Sequence, residues 1–424
     1  MKKYTAIITM LISFLLLTFY LKITKEENNK EISNIEKMLE KPEGIEAYTL
    51  DNEKTTISYE NLINYYTLDK ITCKNGTIAT FNKIDNSVSL SNIHMPDYCT
   101  MNFTDKTLYS HLMKDNSTIK TRTDFSSTYT ETNTNTLFKS TESIAGSTPV
   151  TVYYFSGNAK NNWVKFAGYY WRIIRTNHDG SVRLLYSGTS PDTTEGYIGT
   201  SAFNTEFNSP KYVGYMYGSA DTTLNEAIAN TNNSTIKTYI DNWYSTNLSS
   251  YSKYISTEAV YCNDREVEGG TYNTGNTEFY YVAYIRLNTN NLPSYNCENS
   301  RDAFSVSNSE AILKYSIGLM TADEITFAGG YRYTNLSSPY TWYYTNSKGS
   351  SITESIYWWL GSADYWDGDS ARSWHADGSG YPGYLGGGGV RYSLGVRPVI
   401  SIKGDVIYSS GNGSAENPYT IKEV

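Results

Sequence analysis

The chain opens on an uncharged, mostly apolar run over residues 4–21, preceded by Lys2 and Lys3 and followed by Lys22, Lys25 and Glu26. As a helix rising about 1.5 Å per residue it comes close to spanning a hydrocarbon core of about 30 Å. The two lysines in front of it place the N-terminus inside the cell and the bulk of the chain outside. A cleaved signal peptide would end in small residues, whereas this run ends in Phe19, Tyr20 and Leu21, with no cysteine behind it for lipid attachment. Residues 1–22 are therefore expected to be an uncleaved transmembrane signal anchor of a single-pass cell-membrane protein, with the membrane as its first partner.

Export to an oxidising exterior makes the cysteines readable. There are four, Cys73, Cys99, Cys262 and Cys297. Of the three possible pairings, 73 with 99 and 262 with 297 costs least in chain closure. Four cysteines and four histidines leave little material for a metal cluster. With 35 basic and 43 acidic side chains the net charge is −8, which gives no support to phosphate-backbone binding, so no nucleic-acid partner is expected.

Four zones follow the anchor. Residues 23–48 alternate acidic and basic side chains around Ile32, Ile35, Met38 and Leu39, the spacing of a short helical stalk. Residues 49–104 carry strand patterns over 77–81, 87–90 and 99–103, with Asn75-Gly76 as a turn, and read as a small β module closed by the first disulfide. Residues 105–148 are so rich in Ser, Thr and Asn that they are expected to be a linker. Residues 149–424 form the ligand-binding domain. There, 169–175 and 182–186 flank Asp179-Gly180 as a hairpin. Ile236, Ile240 and Trp243 recur at helical spacing, and Thr321 with Glu324 makes a capping box after an apolar strand over 317–320. Strands are expected over 396–402 and 406–408. Scattered strands with few helices give an α+β class.

The most informative stretch is residues 358–398, WWLGSADYWDGDSARSWHADGSGYPGYLGGGGVRYSLGVRP. None of the chain's 39 Asn and 49 Thr falls between Glu354 and Gly411. Gly, Asp, Ser, Tyr and Arg take their place, the repertoire of adaptable binding loops. The run of glycines at 386–389 is followed by Val390-Arg391 and not by Lys-Ser/Thr, so it is no phosphate loop. No Gly-x-Ser-x-Gly elbow and no His-Glu-x-x-His pair occurs. Asp364, Asp367 and Asp369 could gather around calcium, but their spacing lacks the alternating carboxylates and terminal Glu of a calcium loop, and solvated carboxylates are the stronger reading.

The frame Trp358-Trp359-Leu360-Gly361-Ser362, then a glycine-rich stretch, then Gly395-Val396-Arg397-Pro398-Val399-Ile400 resembles the C-terminal part of C-type-lectin-fold domains related to formylglycine-generating enzymes. In particular it resembles the variable proteins diversified by bacterial retroelements. The segments IGLMTADEITFAGG (317–330) and GNGSAENPYTI (411–421) add to the likeness, which covers roughly residues 149–424.

That resemblance implies a C-terminal C-type-lectin-like domain presenting a site for an extracellular protein or glycan, with no catalytic residues, cofactor or metal. Adenine-directed diversification of AAY codons cannot yield Lys, Glu, Gln, Met or Trp, and over residues 364–395 only Trp366 and Trp374 break that rule. The implied contacts are Asp364, Tyr365, Asp367, Asp369, Arg372, Ser373, His375, Tyr381, Tyr384 and Tyr392. Trp358, Trp359, Gly395, Arg397 and Pro398 are implied as scaffold. The enzyme-like alternative is a formylglycine-generating-enzyme relative, but the cysteine pair of that activity has no counterpart, because no cysteine follows Cys297.

Overall fold

The computed structural model describes segments within residues 4–105, and then residues 107–423 apart from 269 and 270. Two compact units divide the chain, Met1–Ser110 and His111–Val424.

In the first unit Tyr66–Cys73 pairs antiparallel with Cys99–Asp105, and the register sets Cys73 opposite Cys99, where the disulfide joins them. Ile78–Asn82 and Ser87–Ser91 form a second hairpin. The turn at Asn75-Gly76 is closed by Asp97, whose carboxylate accepts from the Asn75 and Thr77 amides at 2.7 and 3.0 Å. The expected stalk lies outside the described residues over 23–44, and its last residues, Ile45–Tyr48, form a strand against Lys54–Ile57. Among the described residues no helix is long and apolar enough to cross a membrane. Residues 7–21 of the expected span lie outside the described residues, and Tyr4–Ala6 pairs as a strand with Cys99–Asp105.

The second unit mixes strands with short helices, which is the α+β class expected. Its larger sheet runs, in spatial order, Gly318–Leu319, Pro398–Ile402, Val182–Tyr186, Tyr169–Thr176, Val150–Tyr154, Thr136–Glu142 and Thr118–Lys120. The Asp179-Gly180 hairpin stands at its centre. The capping box forms as read: the Thr321 hydroxyl accepts from the Glu324 amide, the Glu324 side chain accepts from the Thr321 amide, and Ala322–Ala328 ends at Gly329 with φ of 120°. Ser234 caps the helix Thr235–Asn247, which buries Ile236 and Ile240. The second disulfide joins Cys262 to Cys297, the local pairing.

One expectation is corrected. Residues 111–148 are part of this unit and not a linker. Thr136–Glu142 sits inside the large sheet, and Phe125 and Phe138 enter a core with Val152, Tyr154, Tyr295 and Phe327. The Ser/Thr/Asn content concealed a few apolar side chains at the right places. Glu142 completes the tie: it is buried and bonds Arg175 at 2.8 Å, while Arg175 also reaches Glu324 at 2.9 Å. Burial alone would raise the Glu142 carboxyl, but Arg175 and His178 hold it down at about 2.

A smaller sheet runs Thr200–Ala202, Ser393–Gly395, Trp358–Trp366, Phe279–Tyr281 and Val267–Glu268, and Ala371–Ala376 pairs with both Trp358–Trp366 and Leu385–Gly389. The C-terminal frame lies here.

Phe138→Ala is expected to destabilise the protein by about 3–5 kcal/mol in chemical denaturation, the cost of emptying a core aromatic position. A linker residue would change stability by less than about 0.5 kcal/mol.

Candidate functional site

Most of residues 358–389 is strand and not loop: Trp358–Trp366, Ala371–Ala376 and Leu385–Gly389, with residues 367–370 and 377–384 between them. The long strand Trp358–Trp366 turns at residues 367–370 into Ala371–Ala376, and the glycine run forms the strand Leu385–Gly389 on the far side. Pairing in the first hairpin breaks twice. Trp359 faces His375 and Ala363 faces Ser373, so two extra residues of the long strand leave the ladder. Their bonds go elsewhere: the Gly361 amide donates to Met320 O at 2.8 Å, Asn263 Nδ2 donates to Gly361 O at 2.7 Å, and Ser362 Oγ accepts from the Ala322 amide at 3.0 Å. The WWLGS frame thus locks the strand to the start of the helix Ala322–Ala328. The second break, between Ala363 and Tyr365, makes Asp364 the extra residue of a β-bulge, a device that re-aims a side chain.

Asp364 is fully buried, and neither carboxylate oxygen has a hydrogen-bond partner. Its side chain lies across Gly387, where any β-carbon would overlap Oδ2, so a residue without a side chain is required there. Gly388 leaves room in the same way for the His375 ring, with a β-carbon position 3.2 Å from Nδ1. Burial raises the Asp364 carboxyl well above the usual Asp range, against a smaller opposing pull from Arg372.

Aromatic rings cluster in two groups along these strands. Tyr284 stacks on Tyr280 with centroids 4.2 Å apart, and lies 6.0 Å from Tyr365 and 6.3 Å from Trp374. Tyr333 packs on Tyr384 at 5.9 Å, and Tyr384 on Tyr381 at 6.0 Å. Burial, and next the Asp364 charge, raise the hydroxyls of both Tyr284 and Tyr333. Trp374 is buried with its Nε1 unpartnered. Tyr333 holds a left-handed φ of 50°, unusual for a bulky residue and frequent at functional positions.

The ten contacts expected from the sequence divide into three groups. Tyr365 and Tyr384 are half-buried in the aromatic face, while Tyr381 and Tyr392 are exposed. Asp367 and Arg372 serve the hairpin: Asp367 accepts from the Ser370 amide at 2.8 Å and from Arg372 Nε at 2.7 Å, and Asp369 is exposed on the same turn. Asp364, Ser373 and His375 are buried, which corrects their placement as exposed contacts. Ser373 and His375 alternate with Arg372 and Trp374 along the strand and so point to the opposite face, His375 lying against Tyr357 at 5.0 Å and Trp359 at 6.4 Å. Burial lowers the His375 imidazole to about 4, so it is neutral at physiological pH. Asp377, buried nearby, is raised by burial to about 6.

The scaffold residues lie where they were expected. Trp358, Trp359, Gly395 and Pro398 are buried. Arg397 is a buried strut: it donates to Tyr343 O at 2.7 Å and Tyr186 O at 3.2 Å, with its guanidinium 4.6 Å from the Trp358 ring. Sequence reasoning missed Tyr280, Tyr284 and Tyr333. Tyr280 and Tyr284 stand four residues apart across the start of the short helix Val282–Ile285, but among 41 tyrosines that spacing carries no signal. Among the described residues no group of three or more His, Cys, Asp or Glu side chains is placed to hold a metal ion. Comparison with protein-family models, with curated proteins and with solved structures finds no match to this chain.

Because the Asp364 carboxyl is raised on folding, the native state binds its proton more tightly than the unfolded chain does. Its contribution to stability is full below the unfolded Asp value of about 3.9 and is lost as pH rises toward the folded value. Asp364→Asn removes that dependence. The stability difference between variant and wild type is expected to grow in the variant's favour by up to about 1.4 kcal/mol per pH unit above pH of about 4, then level off. Denaturant melts of both proteins across pH 4.5–8 check this, and a pH-independent difference would contradict it.

Proposed function

We propose that the chain is an extracellular ligand-binding protein, adhesin- or receptor-like, anchored to a membrane by residues 1–22 and presenting a C-type-lectin-like binding face on its C-terminal unit. The observation that carries this reading is the buried, unpartnered Asp364 carboxyl set beneath an aromatic face. A buried polar group without a partner costs about 1–3 kcal/mol, and a fold retains one where function uses it. Tyr284 and Tyr365 supply rigid, amphipathic contact area on its side of the sheet, and Tyr333 and Tyr384 continue it along the Leu385–Gly389 strand. The division of residues supports a face whose identity is free to change. Tyr365, Tyr381, Tyr384 and Tyr392 reach the surface, while Trp358, Trp359 and Arg397 form the frame beneath. The ligand class is an extracellular protein or glycan.

The enzyme-like alternative draws on the same residue, since a buried carboxyl raised by desolvation is also what general acid–base chemistry uses. It predicts turnover that Asp364→Asn abolishes, with the tyrosines affecting only substrate affinity.

Probing a glycan and protein array with the full chain, next to Tyr365→Ala and Tyr384→Ala, tests the binding reading. The expected result is a partner held by wild type and weakened about ten-fold or more by each variant. A partner that both variants hold as tightly as wild type, or no partner at all, would overturn it.

A further inference from the structure

The geometry points to an organic ammonium group as the chemistry that the Asp364 site recognises, and this rests on the reading of the aromatic face as the binding surface. Three observations converge. The carboxyl is fully buried and neither oxygen has a hydrogen-bond partner, so the fold itself offers no hydrogen bond to its ionised form. Trp374 pairs with Gly387, whose β-position meets the carboxyl, and Tyr284 lies 6.3 Å from Trp374 and 6.0 Å from Tyr365, the next residue along the chain; ring faces attract cations. The nearby guanidinium of Arg372 is already committed, bonded to Asp367 at 2.7 Å and lying 5.2 Å from the Tyr365 centroid.

The alternatives gain less. An anion meets a carboxylate and the electron-rich faces of these rings. A neutral hydroxyl can hydrogen-bond to the acid but gains nothing from the ring faces. A hard metal ion such as calcium needs six or more oxygens, and this site offers the two of one carboxylate. A monovalent ammonium draws the carboxyl into its ionised form, with release of its proton to solvent, pairs with that charge and is attracted by the ring faces.

Entry requires a ring to move, because the carboxylate oxygens are closed to solvent. Tyr333, whose ring lies 3.5 Å from the Gly386 β-position on the same strand as Gly387, is the ring that would turn aside. It is 44% exposed, and its amide donates to Leu385 O at 2.8 Å, which fixes the backbone while the side chain turns. Rotation of an exposed side chain is fast and needs no loop rearrangement.

The test is calorimetric titration of the full chain with n-butylammonium and with tetramethylammonium, beside n-butanol and butyrate as neutral and anionic counterparts. The two cations separate a lysine-like amine from a choline-like headgroup. At least one is expected to bind ten-fold or more tightly than n-butanol. Asp364→Asn is expected to lose that preference, and Asp405→Asn, an exposed acid outside the site, to keep it. Ring proton shifts of the site tyrosines in wild-type protein provide a readout independent of any variant.

Equal binding of n-butanol and both cations, or a preference that survives Asp364→Asn, would overturn the ammonium assignment. If an array ligand depends on Tyr365 and Tyr384 while neither cation binds, the assignment falls and the binding face stands. If neither array ligand nor cation binds, both fall.

Discussion

A carboxylate with no partner can sit inside a protein only where the backbone beside it carries nothing that competes for the space. Gly387 supplies that condition, since a β-carbon there would overlap the Asp364 oxygen. The glycine run is therefore a strand whose missing side chains make a chamber, and it forms a hairpin partner to Ala371–Ala376. The bulge at Asp364 supplies the matching half, turning one residue of the long strand toward that chamber.

The chamber holds its shape because the frame around it is over-determined. Arg397 is bonded to two backbone carbonyls and stacked on Trp358, and the WWLGS segment is bonded to the helix start at Ala322. Deeper in the unit, Glu324 caps its own helix and accepts Arg175, which also reaches Glu142. Breaking one partner of such a buried pair leaves an uncompensated charge, a change that typically costs about 3–5 kcal/mol. Rigidity below and tyrosines above are what a surface needs if its contacts are to be exchanged without unfolding it.

Local signals were legible in the sequence where a residue type has one physical meaning. Asp179-Gly180 gave its hairpin, Thr321 with Glu324 gave its cap, and the least-cost pairing gave both disulfides. Arg397 and the paired tryptophans were readable as buried frame. Illegible features depended on partners far apart in the chain. Phe125 and Phe138 lie in so polar a segment that only their contacts with Tyr154 and Phe327 reveal a core. Asp364 looked like a surface acid because a bulge leaves no trace in local composition. Tyr284 and Tyr333 join Tyr365 only through the fold, and the abundance of tyrosine elsewhere masked them.

The account turns on Asp364 being a sealed carboxyl and not an ordinary surface acid. The most direct measurement is carbon NMR of the full chain labelled at aspartate side-chain carboxyls, with Asp364→Asn used to assign its signal. The account predicts a titration midpoint well above the value of about 3.9 found for a free Asp, unmoved by salt as expected for a site closed to solvent. A midpoint near 4 would show that water reaches the carboxylate and would contradict the account.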